Sequence, residues 1–337
     1  MSTPPPRLAT PARLHERLRI RLGRAVFDYG WEGLARLGKL VPLARPHRHG
    51  IDVTYDVSYL PGGGRYHLLD VYVPSGASSQ RTVFQPPYPV VLYIHGGGFR
   101  ILSKDTHWLM GLAFARRGMV VMNINYRLSP EHPFPSALHD VAAAYRFAVE
   151  NAAVFSGDPQ RIILAGESAG ANLALTLALL TCARREEPWA EAAFDQGVVP
   201  RAVIPMCGML QVTDWERFVR RRPLSQFLQD RLHETAEAYL GHDVSLHGPS
   251  AELADPLVLL EQGLQTERPL PPMFAGVGTA DPLLDDSRRL GHALTRLAVP
   301  HEVRYYPGEV HAFHAFVFRE QARRCWQEQF AFIDRYL

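Results

Sequence analysis

Residues Arg161-Ile162-Ile163-Leu164-Ala165-Gly166-Glu167-Ser168-Ala169-Gly170 pass from an apolar, β-branched run into a turn of small residues. Behind the turn, Leu173, Leu177 and Leu180 recur about once per helical turn, so Ser168 is predicted to sit between a strand and a helix. Small residues on both sides suit a sharp, strained turn where backbones approach closely and larger side chains would collide. The free N–H groups at the start of that helix, together with its dipole, would favour negative charge beside the serine hydroxyl. This is the setting of a nucleophile elbow, and the bland alternative is a glycine-bounded turn feeding a buried helix.

Outward from this turn the pattern is regular. Val90 to Ile94, Met119 to Asn123, Arg161 to Ala165, Ala202 to Met206, Met273 to Val277 and Glu302 to Tyr306 are apolar runs typical of strands covered on both faces, mostly separated by helix-length stretches. Before them, Ile51 to Tyr55 and His67 to Val73 flank Pro61-Gly62-Gly63-Gly64 and read as an antiparallel hairpin at a sheet edge. The predicted class is therefore α/β, with a mostly parallel central sheet, helices on both faces and functional groups gathered at the carboxyl ends of the strands. From about Gly208 to Arg268 the alternation breaks, with Trp215, Phe218, Phe227 and Tyr239 among polar residues. We read residues 208–268 as an inserted helical cap, 51–207 and 269–337 as the catalytic core, and 1–50 as an amino-terminal cap or lid. Within that lid, arginines interleave with Leu14, Leu18 and Leu22, ahead of Trp31, Leu34 and Leu37. A helix packed over a site is preferred there to one lying on a membrane surface.

Composition narrows the function classes. A chain of 337 residues, 47% hydrophobic and 21% charged, buries a large core, and its net charge of +2 leaves no footprint for nucleic acid. Cys182, Cys207 and Cys325 lie far apart without metal or redox spacing, so neither a disulfide framework nor a metal site is expected and a cytoplasmic location is the default. The longest apolar stretch, Ala171 to Ala183, is too short to span a bilayer, and no integral membrane segment is expected. The amino terminus lacks the long apolar core of a secretory signal.

The remaining chemistry lies at other strand ends. His95-Gly96-Gly97-Gly98-Phe99 follows Val90 to Ile94, and its unhindered backbone N–H groups suit an oxyanion hole, while neither P-loop nor GxGxxG spacing is present. His95 itself is expected to orient that loop by hydrogen bonding. A serine hydroxyl needs a base and an acid that holds the imidazole in the right tautomer. Asp281 follows Met273 to Val277, with Asp285 and Asp286 as alternatives one turn on; His311 follows Glu302 to Tyr306, with His314 as the alternative. Position favours Asp281 and His311, because Asp285 and Asp286 suit the first turn of a helix and His314 would point elsewhere on a short one.

The His-Gly-Gly-Gly loop, the elbow at 166–170 and the stretch Tyr126-Arg127-Leu128-Ser129-Pro130-Glu131-His132-Pro133-Phe134-Pro135 resemble the hormone-sensitive-lipase family of α/β-hydrolase esterases from about residue 50 onward. The order Ser, Asp, His agrees. The resemblance implies the α/β-hydrolase fold, Ser168 as nucleophile, His311 as base, Asp281 as its partner, and the backbone N–H groups of Gly97, Gly98 and Ala169 as the oxyanion hole, with no cofactor and no metal. Two positions depart from the family pattern: Glu167 stands where aspartate is usual and Ala171 where glycine is common. Glu167 also resembles the glutamate of the larger, cholinesterase-type carboxylesterases, which are longer, disulfide-bonded and use a glutamate as triad acid. Asp140 and Asp158 match the family pattern too, but read equally well as a helix-surface carboxylate and an Asp-Pro turn.

The expected activity is hydrolysis of short- to medium-chain acyl esters, a small apolar ester being the partner. An amidase or arylformamidase on the same site and a non-catalytic receptor for a small ligand are the rival readings, and pairing into a homodimer through an edge strand is left open.

Overall fold

The computed structural model describes residues 41–75, 83–241 and 250–337, together with 19, 23, 30, 32, 33, 35 and 37–39. An antiparallel pair opens it, β1 (Ile51–Ser58) against β2 (Leu68–Pro74), in the place read as a hairpin. Then come β3 (Tyr88–Ile94), α1 (Trp108–Arg117), β4 (Val120–Ile124), α2 (Ser136–Asn151), β5 (Gly157–Glu167) and α3 (Ala169–Cys182). The chain continues through α4 (Pro188–Phe194), β6 (Ala202–Met206), α5 (Arg217–Arg221), α6 (Gln226–Leu240), α7 (Pro256–Glu261), β7 (Met273–Gly278), α8 (Leu284–Arg296), β8 (His301–Tyr306) and α9 (Glu320–Asp334).

The strands form one eight-stranded sheet in the order β1-β2-β4-β3-β5-β6-β7-β8. From β4 to β8 all neighbours run parallel, whereas β2 meets both β1 and β4 antiparallel. Every residue of β3, β4, β6 and β7 is buried, as the unbroken apolar runs require of strands covered on both faces. One expectation fails: β8, read as covered, is an edge strand in which only Tyr306 is buried and Tyr305 is 44% exposed. Val303 packs against the core on one face of the sheet and Tyr306 against the core on the other, while Arg304 and Tyr305 reach solvent.

All fourteen residues of α3 are buried. Such a helix shows no polar stripe, which is why leucine spacing alone had to reveal it. Among its polar residues, Asn172 and Thr176 donate to the carbonyls of Met209, Ala254 and Leu253, so the chain after β6 and the chain entering α7 are both bonded to the helix that begins after Ser168. The lid expected over residues 1–50 is described at few positions. Arg19 is ion-paired with Asp230 on α6 at 3.0 Å, and the Trp108 indole N–H donates to the Ala35 carbonyl at 3.2 Å; Leu14, Leu18, Leu22, Trp31 and Leu34 lie outside the described residues. Among the described residues no helix is long and apolar enough to cross a membrane.

Candidate active site

Ser168 caps α3 at φ 56° and ψ −116°, a positive φ that costs a side-chain-bearing residue energy and is held here by its neighbours. Its N–H donates to Met206 and its carbonyl accepts from Met209, so the turn is clamped by the end of β6. A Cβ on Gly170 would stand 2.1 Å from the Ile94 carbonyl oxygen, which is why the elbow tolerates only glycine there. Ala169 is the first helical residue, so its N–H has no partner inside α3, and it lines the same cavity as Ser168.

The loop after β3 comes against this turn. Gly97 has φ 113° and a Cβ there would meet the Ile101 carbonyl at 2.2 Å, so the loop's curl depends on glycine. The Tyr126 hydroxyl donates to the His95 carbonyl at 2.9 Å and stacks its ring on the imidazole at 4.3 Å between centroids. Ser129 N–H donates to the Phe99 carbonyl at 2.8 Å, and Nδ1 of His95 lies 2.7 Å from the Gly96 carbonyl. The stretch from Tyr126 onward is thus the scaffold of the glycine loop, and His95 has the orienting place expected of it. Burial, with His107 nearby, pushes its imidazole down to about 3, so it stays neutral.

Asp281 is fully buried, with one carboxylate oxygen accepting from Leu283 N–H at 2.8 Å and the other 2.8 Å from Nδ1 of His311. The β7 and β8 loops carrying them are tied together, since Thr279 donates to Tyr306 and Ala280 to Glu309. The His311 side chain is one-third exposed. Burial lowers its basicity, but the charge and hydrogen bond of Asp281, helped by Glu167, outweigh that and hold the imidazole above its ordinary value. The alternatives are engaged elsewhere: Asp285 pairs with Arg221 at 2.7 Å, and buried Asp286 pairs with Arg217 at 2.6 Å and accepts from Leu210 N–H.

Ser168, Ala169, Gly97, Gly98 and His311 all line one cavity of about 670 Å³. Its walls are apolar, with Leu102, Trp108, Leu228, Leu232 and Phe316 among them. From α6, Thr235 stands directly over the glycine loop, its Oγ1 2.8 Å from where a Gly98 Cβ would be. Cys207 also brings a ligand atom within 4.8 Å of those of Asp281 and His311. Burial pushes its thiol well up, away from the thiolate a metal prefers, and Asp281 is already bonded to His311, so the trio fits an acid–base pair better than a metal site.

One reading needs correction. Asp140 is no surface carboxylate: it is 1% exposed, its oxygens accept from Arg127 N–H at 2.7 Å and from the Arg127 guanidinium, and Nε2 of His67 lies 2.9 Å away. Its neighbours Ala137, Val141 and Ala144 on the helix are all buried, a signal that was readable. Asp158 lies at the start of β5, where the pairing with β3 shifts register, and accepts from Gln160 N–H at 2.9 Å. Unforeseen was the setting of Glu167: Nε2 of His107 lies 2.8 Å from one oxygen, and Nε2 of His314 lies 2.7 Å from the other, off the hydrogen-bonding direction.

Comparison with known proteins agrees with this architecture. The α/β-hydrolase fold family model matches residues 91–315. Carboxylesterase NlhH of Mycobacterium tuberculosis is 32% identical over 243 residues, covering 69% of this chain and 70% of that protein. Among solved structures, a bacterial heroin esterase aligns with a TM-score of 0.73 at 24% identity over 92% of this chain and 90% of the other. A hormone-sensitive lipase from a metagenome library gives 0.67 at 24% identity over 98% and 100%. The chain belongs to the hormone-sensitive-lipase family of the α/β-hydrolase fold and is a carboxylic ester hydrolase.

Proposed function

We propose that the chain hydrolyses short- to medium-chain acyl esters through an acyl-enzyme on Ser168. His311 takes the hydroxyl proton as Ser168 Oγ attacks the ester carbonyl, and Asp281 holds the imidazole in the tautomer that leaves Nε2 free to accept it. Charge developing on the carbonyl oxygen meets the N–H groups of Gly97, Gly98 and Ala169, donors fixed by the curled loop and the helix start. Collapse of the tetrahedral species passes the proton from His311 to the departing alcohol. Water, deprotonated by the same imidazole, then releases the acid and restores Ser168.

The observation that carries this reading is the convergence of the strained serine, the glycine loop and an aspartate-backed histidine on one apolar cavity. A cavity of about 670 Å³ is of ordinary size for a small-molecule site, and its walls suit an apolar acyl or alcohol group. We assign α6 and the amino-terminal segment to the cover of this cavity, and the free, buried Cys182, Cys207 and Cys325 support a cytoplasmic setting.

The test is a panel of nitrophenyl esters of rising chain length beside matched amides and formamides, with organophosphate labelling read by intact mass. Hydrolysis peaking at short to medium esters, with one adduct lost in Ser168→Ala, is the expected result. Turnover confined to amides or formamides would replace the substrate class, and no adduct with no turnover would make the site a receptor.

A further inference from the structure

We propose that Glu167 is a positioning residue, its buried carboxylate held between His107 and His314 so that it joins the glycine loop, the serine turn and the His311 loop and sets a negative charge behind the base. The inference rests on the Ser168 reading above. Three chain segments meet at this one side chain. Glu167 is adjacent to Ser168; His107 ends the segment that begins with the glycine loop and precedes α1; His314 lies three residues beyond His311. A Cβ on Gly96 would also stand 3.2 Å from Glu167 Cγ, so the glycine loop rests directly against the carboxylate's stem. An aspartate here would lack the methylene with which Glu167 brings one oxygen to His107 and the other to His314.

The neighbours leave Glu167 as a charge with few rivals. Tyr93 on β3, Tyr126 after β4 and Cys207 after β6 have their acidities suppressed by burial and stay neutral, as does His95 at about 3. Asp281 after β7 is the other carboxylate facing His311, and His107 and His314 are the imidazoles that face Glu167. Burial opposes ionisation of Glu167, but those two imidazoles outweigh it and hold the carboxyl well below its ordinary range. A carboxylate beside a base stabilises the protonated imidazole, and it does the same for the imidazolium formed as serine attacks.

Glu167→Gln keeps size and removes charge. We expect kcat to fall roughly 10- to 100-fold with KM within about threefold, because a small displacement of reacting groups costs about that much. The acid limb of the kcat/KM profile should fall by roughly half a pH unit. Glu167→Asp keeps charge but shortens reach, so its limb should stay near the wild-type position while kcat drops. Thermal melting checks that each variant folds; if Glu167→Gln does not, Glu167→Asp decides on kcat alone. Unchanged kcat in the folded variants overturns the proposal, and so does a drop in Glu167→Gln with an unmoved limb, since loosened packing would do that. Organophosphate labelling separates this from failure of the serine reading: Glu167→Gln should still take one adduct, slowly, whereas an unlabelled wild-type enzyme would sink the Ser168 assignment itself.

Discussion

The floor of the cavity and its cover are built on opposite principles. Each functional group on the floor hangs from a strand end by directed bonds, as Ser168 does from Met206, Asp281 from Leu283 and the glycine loop from Tyr126 and Ser129. The cover, with Leu228, Leu232 and Thr235 of α6 over the cavity, touches the same space largely through apolar surfaces. Hydrogen bonds fix direction, so the floor admits few alternatives; apolar packing fixes volume, and many side chains fill a volume. A change on the floor should therefore alter rate for every substrate, and a change in the cover should alter which substrate is accepted.

The largest effect expected is on the floor. Ser168→Ala should lower turnover by roughly 10⁴-fold or more with the melting temperature little changed, across the whole ester panel. Near wild-type rates would erase the distinction, because the floor would then not be where chemistry happens. Asp281→Asn should follow at about 10³- to 10⁴-fold, since an amide permits the wrong imidazole tautomer. A loss that varied strongly with acyl length would place Asp281 with the cover instead.

The pH profile tests the floor without mutation. In the proposed mechanism His311 must be neutral to accept a proton, and its carboxylate neighbours hold it above the ordinary imidazole value of about 6.5. Activity should be full at higher pH and should fall as pH drops through a value above about 6.5, in the free-enzyme kcat/KM profile. A limb at or below that value would show that burial outweighs Asp281.

The contrast also separates what a single sequence discloses from what it hides. The elbow, the glycine loop and the Asp and His loops were legible because each is a local pattern: an apolar strand followed by small or turn-forming residues. Glu167 was legible only as a departure from pattern, since its partners His107 and His314 lie 60 and 147 positions away with no periodicity to link them. Asp140 was misread because a charged residue on a helix is usually solvated, although buried Ala137, Val141 and Ala144 surround it. The exposure of β8 was hidden because an edge strand with apolar residues resembles a central one until its neighbours are known. The cover was legible only as an interruption, for apolar residues without a strict period mark burial but not orientation.

The smallest expected effect lies in that cover and is the sharpest test of its independence. Leu228 stands on α6 at the wall of the cavity, away from the bonds that hold Ser168, Asp281 and His311. In Leu228→Trp the larger ring should occupy space that a longer acyl or alcohol group would use. Each methylene excluded from an apolar pocket forfeits about 0.8 kcal/mol, so two lost methylenes lower kcat/KM for the longer esters by roughly tenfold. Acetyl ester hydrolysis should stay within about twofold and the acid limb should not move, because no group touching the reacting atoms has changed. Equal losses on short and long esters would mean that α6 positions the glycine loop through Thr235, joining cover to floor; a selective loss on long chains would show that volume alone sets the preference.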